Sequence, residues 1–385
     1  MNLCPSPLRM AFTACAVATL IVLAGCRSDT AVAANYHQYA YVTNGKSNTV
    51  SVIDALYFRS LKSIDVGKGP TGIAVNPVNN EVYVVNTDSD SVSVIDAAKN
   101  EVTATIPVRH TPYFISVSSD GKRAYVANSG SGNVSVLDLE KHTDIATIAV
   151  GSSPGIAALS PDHATVVVSN RLSNSVSLIS ASNNAVRATL PVCKEPQDIA
   201  ILKDSSKVFV ACPADNEVAV IDLKRAIVLS LLDVGESPVQ LTLKPDGGEI
   251  FVSNFNSNNV SSIETSTNEV GGSFPIGDRP VRTVTTSDNS LLYVSDFGAD
   301  AVSVYSIDDG KAIDSIQVGS QPDALAFTAD ESHLLVVNTR SGDVAVVRTV
   351  KTRQNSKISR DRALVTMIPV GAQPNAIAIK EFTSR

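Results

Sequence analysis

Residues 70–111 read PTGIAVNPVNNEVYVVNTDSDSVSVIDAAKNEVTATIPVRHT, and this stretch decides the architecture. It contains four short runs rich in β-branched residues: GIAVN, EVYVVN, SVSVIDA and EVTATIPV. Each is about five residues long and bounded by Pro, Gly, Asn, Asp or Ser, the pattern of strands separated by tight turns. Working outward, the punctuation returns every 42 residues. Asn86 recurs as Asn44, Asn128, Asn170, Asn254 and Asn338, with Cys212 and Asp296 in the same slot. Pro70 recurs as Pro112, Pro154, Pro196, Pro238, Pro280 and Pro322, and then as Pro374 after a ten-residue slip. Self-similarity at a fixed period of this length marks a repeat architecture. Beyond the N-terminal segment no stretch sustains a 3.6-residue apolar period, so helix is at most a minor component.

A single twisted four-stranded sheet cannot bury both of its faces. Several such sheets stacked around an axis can, and that solution is an all-β β-propeller, which leaves only short, protected edges. In each repeat the post-proline strand is innermost (A), followed outward by B, C and D. The chain enters at strand B, Tyr39 to Asn44, and complete A-to-D blades then begin at each proline from Pro70 to Pro322. The final NAIAIK strand after Pro374 lacks outer partners, and the first three strands lack an inner one. Pairing them closes the ring as an eighth, composite blade. WD40 repeats share the period, but the chain has no Trp.

The segments YVTNGKSNTVSVIDA, VYVVNTDSDSVSVIDA and AYVANSGSGNVSVLDL resemble the YVTN β-propeller repeat family, together with the VG..P.GIAV element that follows them. The resemblance covers about residues 39–380 and implies a bacterial or archaeal propeller outside the cytoplasm. It implies no single activity, because propellers host many unrelated functions. Related propellers are often seven-bladed, so seven blades with a capping terminal repeat is the alternative count.

Arg9 precedes an apolar run from Met10 to Leu23 that ends in Leu23-Ala24-Gly25-Cys26. This reads as a lipoprotein signal over residues 1–25, with Cys26 the lipidated residue and 26–38 a tether. The propeller follows over 39–380 and a tail over 381–385. Arg27 after the cysteine favours the outer membrane by resemblance to Gram-negative sorting. The expected location is therefore an exported, membrane-anchored lipoprotein facing the periplasm or the cell surface. A formal net charge of −7 with 18% charged residues argues against a nucleic-acid-binding surface. Of five cysteines, Cys193 and Cys212 remain in the exported domain. They replace the repeat's Gly and Asn at adjacent strand ends and are expected to form a disulfide.

Catalytic signatures are sparse. The five histidines fall at different repeat positions, with no metal-ligand spacing, so no metal site is expected and the cofactor is left open. SGSGN at 129–133 joins two strands and lacks the helix start that would hold a phosphate, and no GxSxG elbow occurs. Asp54, Asp96, Asp138 and Asp222 fall at C-to-D turns, where Asp caps its own backbone. The sharper signal is where repeats differ. Two residues after the proline, Gly72, Ala324 and Ala376 are small, but Phe114, Asp198, Gln240 and Arg282 are not. Asp198, Gln240 and Arg282 share one register in three consecutive blades and form a candidate polar or anionic ligand site, with His110, Tyr113 and Phe114 at the corresponding mouth of another blade. The same side chains also read as braces between blades. A period-breaking basic segment carries Arg348, Lys351, Arg353, Lys357, Arg360 and Arg362 and is expected to face the anchoring membrane. The sequence thus points to a lipid-anchored binding or scaffold module for a small ligand or envelope protein. A propeller enzyme (hydrolase, lyase or cofactor-assisted oxidoreductase) and a structural envelope protein are the alternatives.

Overall fold

The computed structural model describes residues 35–350 and 363–384, all within the compact unit Asn35–Arg385. Cys26, most of the tether, and Lys351, Arg353, Lys357, Arg360 and Arg362 lie outside the described residues. Eight four-stranded antiparallel sheets form the ring, and seven of them are built from four consecutive strands. Blade 1 is composite: the inner strand Pro374–Thr383 pairs with Tyr36–Asn44, which pairs in turn with Thr49–Asp54 and Arg59–Asp65. The closing ladder runs from Tyr36 opposite Thr383 to Asn44 opposite Pro374, beyond the repeat boundaries 39 and 380 on the strand-entry side. Eight blades is the count, and the last strand closes the ring.

Inner strands of blades 2 to 8 are Pro70–Val75, Pro112–Val117, Pro154–Leu159, Ile199–Ile201, Pro238–Leu243, Pro280–Thr285 and Pro322–Phe327. Each has a ladder partner on its outer side only, so its free edge faces the axis. Packing between blades explains the apolar runs. Tyr41, Tyr83, Tyr125, Phe209, Phe251 and Tyr293 occupy one register of strand B and are fully buried. Each contributes on the order of 1.5–3 kcal/mol from burial alone. Tyr41 Oη also donates to Asn100 Oδ1 at 2.6 Å, tying blade 1 to blade 2.

Two repeated polar elements fix the turns. The buried Asn that ends strand B donates through Nδ2 to the next strand, as Asn44 does to Ser51 (2.9 Å) and Asn170 to Ser177 (2.9 Å). In two repeats its Oδ1 also accepts the backbone N–H of a loop Gly, at 3.1 Å for both Gly151–Asn170 and Gly371–Asn44, whereas the Oδ1 atoms of Asn86, Asn128, Asn254 and Asn338 are buried with no hydrogen-bond partner. In blade 5 the Gly–Asn pair is replaced, and Cys193 and Cys212 are joined there by a disulfide with Cα atoms 5.8 Å apart. At the C-to-D turns Asp54, Asp96, Asp138 and Asp222 accept backbone N–H groups two or three residues ahead, at 2.8–3.2 Å. They are turn caps, not a ring of reactive carboxylates.

Candidate functional site at the upper mouth of the channel

D-to-A and B-to-C turns lie at one end of the axis, here the upper mouth, and A-to-B and C-to-D turns at the other. Immediately after the repeat proline the inner ladder slips by one residue. Pro280 faces Asp296 while Thr283 faces Val294, and Pro322 faces Asn338 while Ala324 faces Val337. Such a bulge takes one or two side chains out of the ladder and re-aims them. It places the first two residues after each proline around the upper mouth. In blade 5 the regular strand begins only at Ile199, and Asp198 sits in the irregular segment, its carbonyl accepting Ala211 N at 2.9 Å.

Asp198 and Gln240 reach forward to the next blade. Asp198 Oδ2 accepts Leu241 N at 2.8 Å, and Gln240 Oε1 accepts both Thr283 N and Thr283 Oγ1 at 2.8 Å. These side chains satisfy N–H groups on inner strands that have no further strand to pair with, so both act as braces. Arg282 differs. Its guanidinium is exposed and makes no hydrogen bond or ion pair among the described residues, while its charge is felt by Asp198 on one side and Asp323 on the other. Asp323 follows Pro322 in blade 8 and likewise has no hydrogen-bonded or ion-paired partner among the described residues. Desolvation raises both carboxyls above the usual range, and the Arg282 charge opposes that rise. Blades 5, 7 and 8 therefore bring three ionisable side chains to one side of the mouth.

The same side carries aromatic surface. Phe255 and Phe297 follow the strand-B termini of blades 6 and 7, with ring centroids 6.2 Å apart and planes at 56°. Their amides donate to Ser237 O (2.9 Å) and Arg279 O (3.1 Å), the residues just before Pro238 and Pro280, so each ring is anchored beside the bulge of its own blade. Elsewhere in the ring this slot holds Gly45, Thr87, Ser129, Arg171, Pro213 and Thr339.

The other expected residues lie on blade 3, across the ring from blade 7. Tyr113 is exposed there, and its carbonyl accepts Thr71 Oγ1. Phe114 is half-buried and packs against the apolar cluster between blades 3 and 4 around Tyr125 and Val166. His110 Nδ1 lies 3.2 Å from Asp90 Oδ2 on the rim. The Thr111 amide and then His110 hold the Asp90 carboxyl below its usual range. Asp323, Phe255 and Phe297 were not singled out from the sequence. The repeat alignment that exposes Arg282 exposes them too, once the slots one residue after the proline and one after the Asn are compared. Among the described residues no group of His, Cys, Asp and Glu is placed to hold a metal, and no helix is long and apolar enough to cross a membrane.

A family model of YNCE-like beta-propellers matches residues 4–129 and 119–353. The chain belongs to that family. No curated protein matches this YNCE-like propeller. Among solved structures it is similar to Kuenenia stuttgartiensis hydrazine synthase, with 22% identity, 73% of this chain and 96% of that chain covered, and a TM-score of 0.60. The dihydro-heme d1 dehydrogenase NirN in complex with DHE gives 15% identity, coverage of 88% and 74%, and a TM-score of 0.73. A functionally unknown protein from Desulfotomaculum acetoxidans gives 17% identity, coverage of 78% and 99%, and a TM-score of 0.61. At these identities the likeness is one of fold.

Proposed function

We propose that this YNCE-like propeller is an extracytoplasmic, lipid-anchored binding module whose ligand site is the upper mouth of the channel between blades 5 and 8. The observation that carries the reading is the Arg282 guanidinium, exposed and, like the Asp323 carboxyl that feels its charge, without a hydrogen-bond or ion-pair partner among the described residues. Residues that only brace a channel resemble Asp198 and Gln240, with their hydrogen bonds spent on the neighbouring blade. Arg282 and Asp323 keep theirs unspent among the described residues, polar groups of the kind that orient a ligand in a small-molecule site. Lipidation at Cys26 would tether the domain to a membrane, and loss of radiolabelled palmitate incorporation in Cys26→Ser tests that part.

The ligand site is tested by native mass spectrometry of the wild type and Arg282→Ala purified side by side, followed by titration of whatever small molecule co-purifies. Losing a charge-assisted hydrogen bond costs about 1.5–3 kcal/mol, a tenfold to hundredfold weaker affinity. Because the guanidinium braces nothing, the melting temperature should stay within about 1 °C of wild type, given that surface substitutions rarely exceed 0.5 kcal/mol. Unchanged binding with a large loss of stability would overturn the reading.

A further inference from the structure

We infer that the ligand of the upper mouth is a small zwitterion carrying an aromatic group, of the chemical type of an aromatic α-amino acid; this rests on the preceding reading that the mouth binds a ligand at all. The charge pattern does the selecting. Asp198 and Asp323 flank Arg282, and among the described residues no ion pair within 4.0 Å involves any of the three. An anion alone would pair Arg282 and bring a negative group up against two carboxyls. A cation alone would pair a carboxyl and leave the guanidinium uncompensated beside a second positive charge. A molecule with an acceptor and a cationic donor on neighbouring atoms satisfies both halves, its carboxylate on Arg282 and its ammonium on Asp323. Asp198 already accepts Leu241 N through Oδ2, which leaves Asp323 as the acceptor with both oxygens available.

The aromatic half of the assignment rests on a separate observation. Phe255 and Phe297 meet in a tilted pair at 6.2 Å, and only blades 6 and 7 place aromatic rings in that slot. The Phe297 amide is tied to Arg279 O, just before the inner strand Pro280–Thr285 that carries Arg282, and Phe255 holds the equivalent place on blade 6. Ring pairs of this tilted geometry offer a further edge or face to a third ring, worth more than the area it buries. Nearby Arg279 is already paired, 3.7 Å from Asp278, so it does not compete with Arg282 for the carboxylate.

Isothermal titration of the full-length protein with four probes at millimolar concentration tests the inference: L-phenylalanine, phenylpropionate, phenethylamine and L-alanine. Wild type should bind L-phenylalanine at least tenfold more tightly than each of the other three. Arg282→Ala should reduce L-phenylalanine to the affinity of phenethylamine, and Asp323→Asn should reduce it to that of phenylpropionate. Phe297→Leu, which keeps apolar volume, should narrow the gap between L-phenylalanine and L-alanine. Circular dichroism melts of each variant identify any that fail to fold; for Asp323, Asp323→Ser then serves as the second variant. If phenylpropionate binds wild type as tightly as L-phenylalanine and Asp323→Asn changes nothing, the zwitterion assignment is overturned while an Arg282-dependent anion site survives. If no probe shows Arg282-dependent binding, the zwitterion assignment falls; if the co-purified molecule of the preceding test is also insensitive to Arg282, the binding-module reading falls with it.

Discussion

Asp296 occupies the slot that holds Asn in six repeats, and the substitution Asp296→Asn offers a quantitative test of the packing argument. The side chain is 1% exposed. Its Oδ2 accepts Ser303 Oγ, but Oδ1 is buried with no hydrogen-bond partner. Burial, the largest cause, raises its carboxyl from 3.8 to about 7, Ser303 opposes the rise, and the nearby Asp278 charge adds to it. Between pH 4 and 7 the native state holds a proton that the unfolded chain releases. Stability must therefore fall as pH climbs through that window, and the penalty is complete above pH 7. Three pH units correspond to about 4 kcal/mol, an upper bound for the charged form. Asn is nearly isosteric with the neutral acid and can donate through Nδ2 to Ser303, as Asn170 does to Ser177 at 2.9 Å. Asp296→Asn should thus leave stability near pH 4.5 almost unchanged and raise it at pH 8 by about 2–4 kcal/mol, roughly 3–5 °C for a ring of this size melting as one unit. Differential scanning calorimetry at both pH values supplies the measurement. An equal shift at the two pH values, or a loss at pH 8, would refute the buried-carboxylate account.

Three further outcomes follow from the closure, the disulfide and the basic segment. Truncation after Gly371 removes the inner strand of blade 1, including Lys380, whose Nζ donates to Asn76 O of blade 2 at 2.7 Å, and should lower the melting temperature far more than loss of a free tail. An unchanged melt would show that the ring does not close through this strand. Cys193→Ser should destabilise the protein by about 3 kcal/mol, the chain-entropy cost of a loop of 19 residues. The pair Cys193→Gly with Cys212→Asn should recover part of that loss by restoring the loop Gly–Asn contact of the other blades, and denaturant melts of the two variants compare them directly. If the basic segment faces the membrane, non-lipidated protein should co-sediment with anionic vesicles. Changing Lys351, Arg353, Lys357 and Arg360 to Ser should weaken that binding by about 1 kcal/mol for each residue in contact, and equal sedimentation would remove the role.

The fold was legible because the 42-residue period is a one-dimensional signal. Each blade repeats the same strand pattern, and a four-stranded sheet has no way to bury its faces except against its copies. The chain ends announced their own pairing, since three strands lacked an inner partner and one lacked outer partners. Cys193 and Cys212 were legible for a related reason: two slots in mutual contact in the other repeats changed together. The candidate site was only half legible. Alignment shows that Asp198, Gln240 and Arg282 share a register, but not how each spends its hydrogen bonds. That depends on the neighbouring blade, where Leu241 N and Thr283 N consume the first two, while no group among the described residues consumes Arg282. Alignment likewise places Phe114 at the mouth of blade 3 but does not show that it is half-buried there against the apolar cluster shared with blade 4. Sequence alone determined which residues occupy equivalent positions, because the period is written along the chain. Tertiary structure alone decided which of them spend their hydrogen bonds on a neighbouring blade, because inner-strand partners come from blades about 42 residues away and their geometry exists only once the ring is closed.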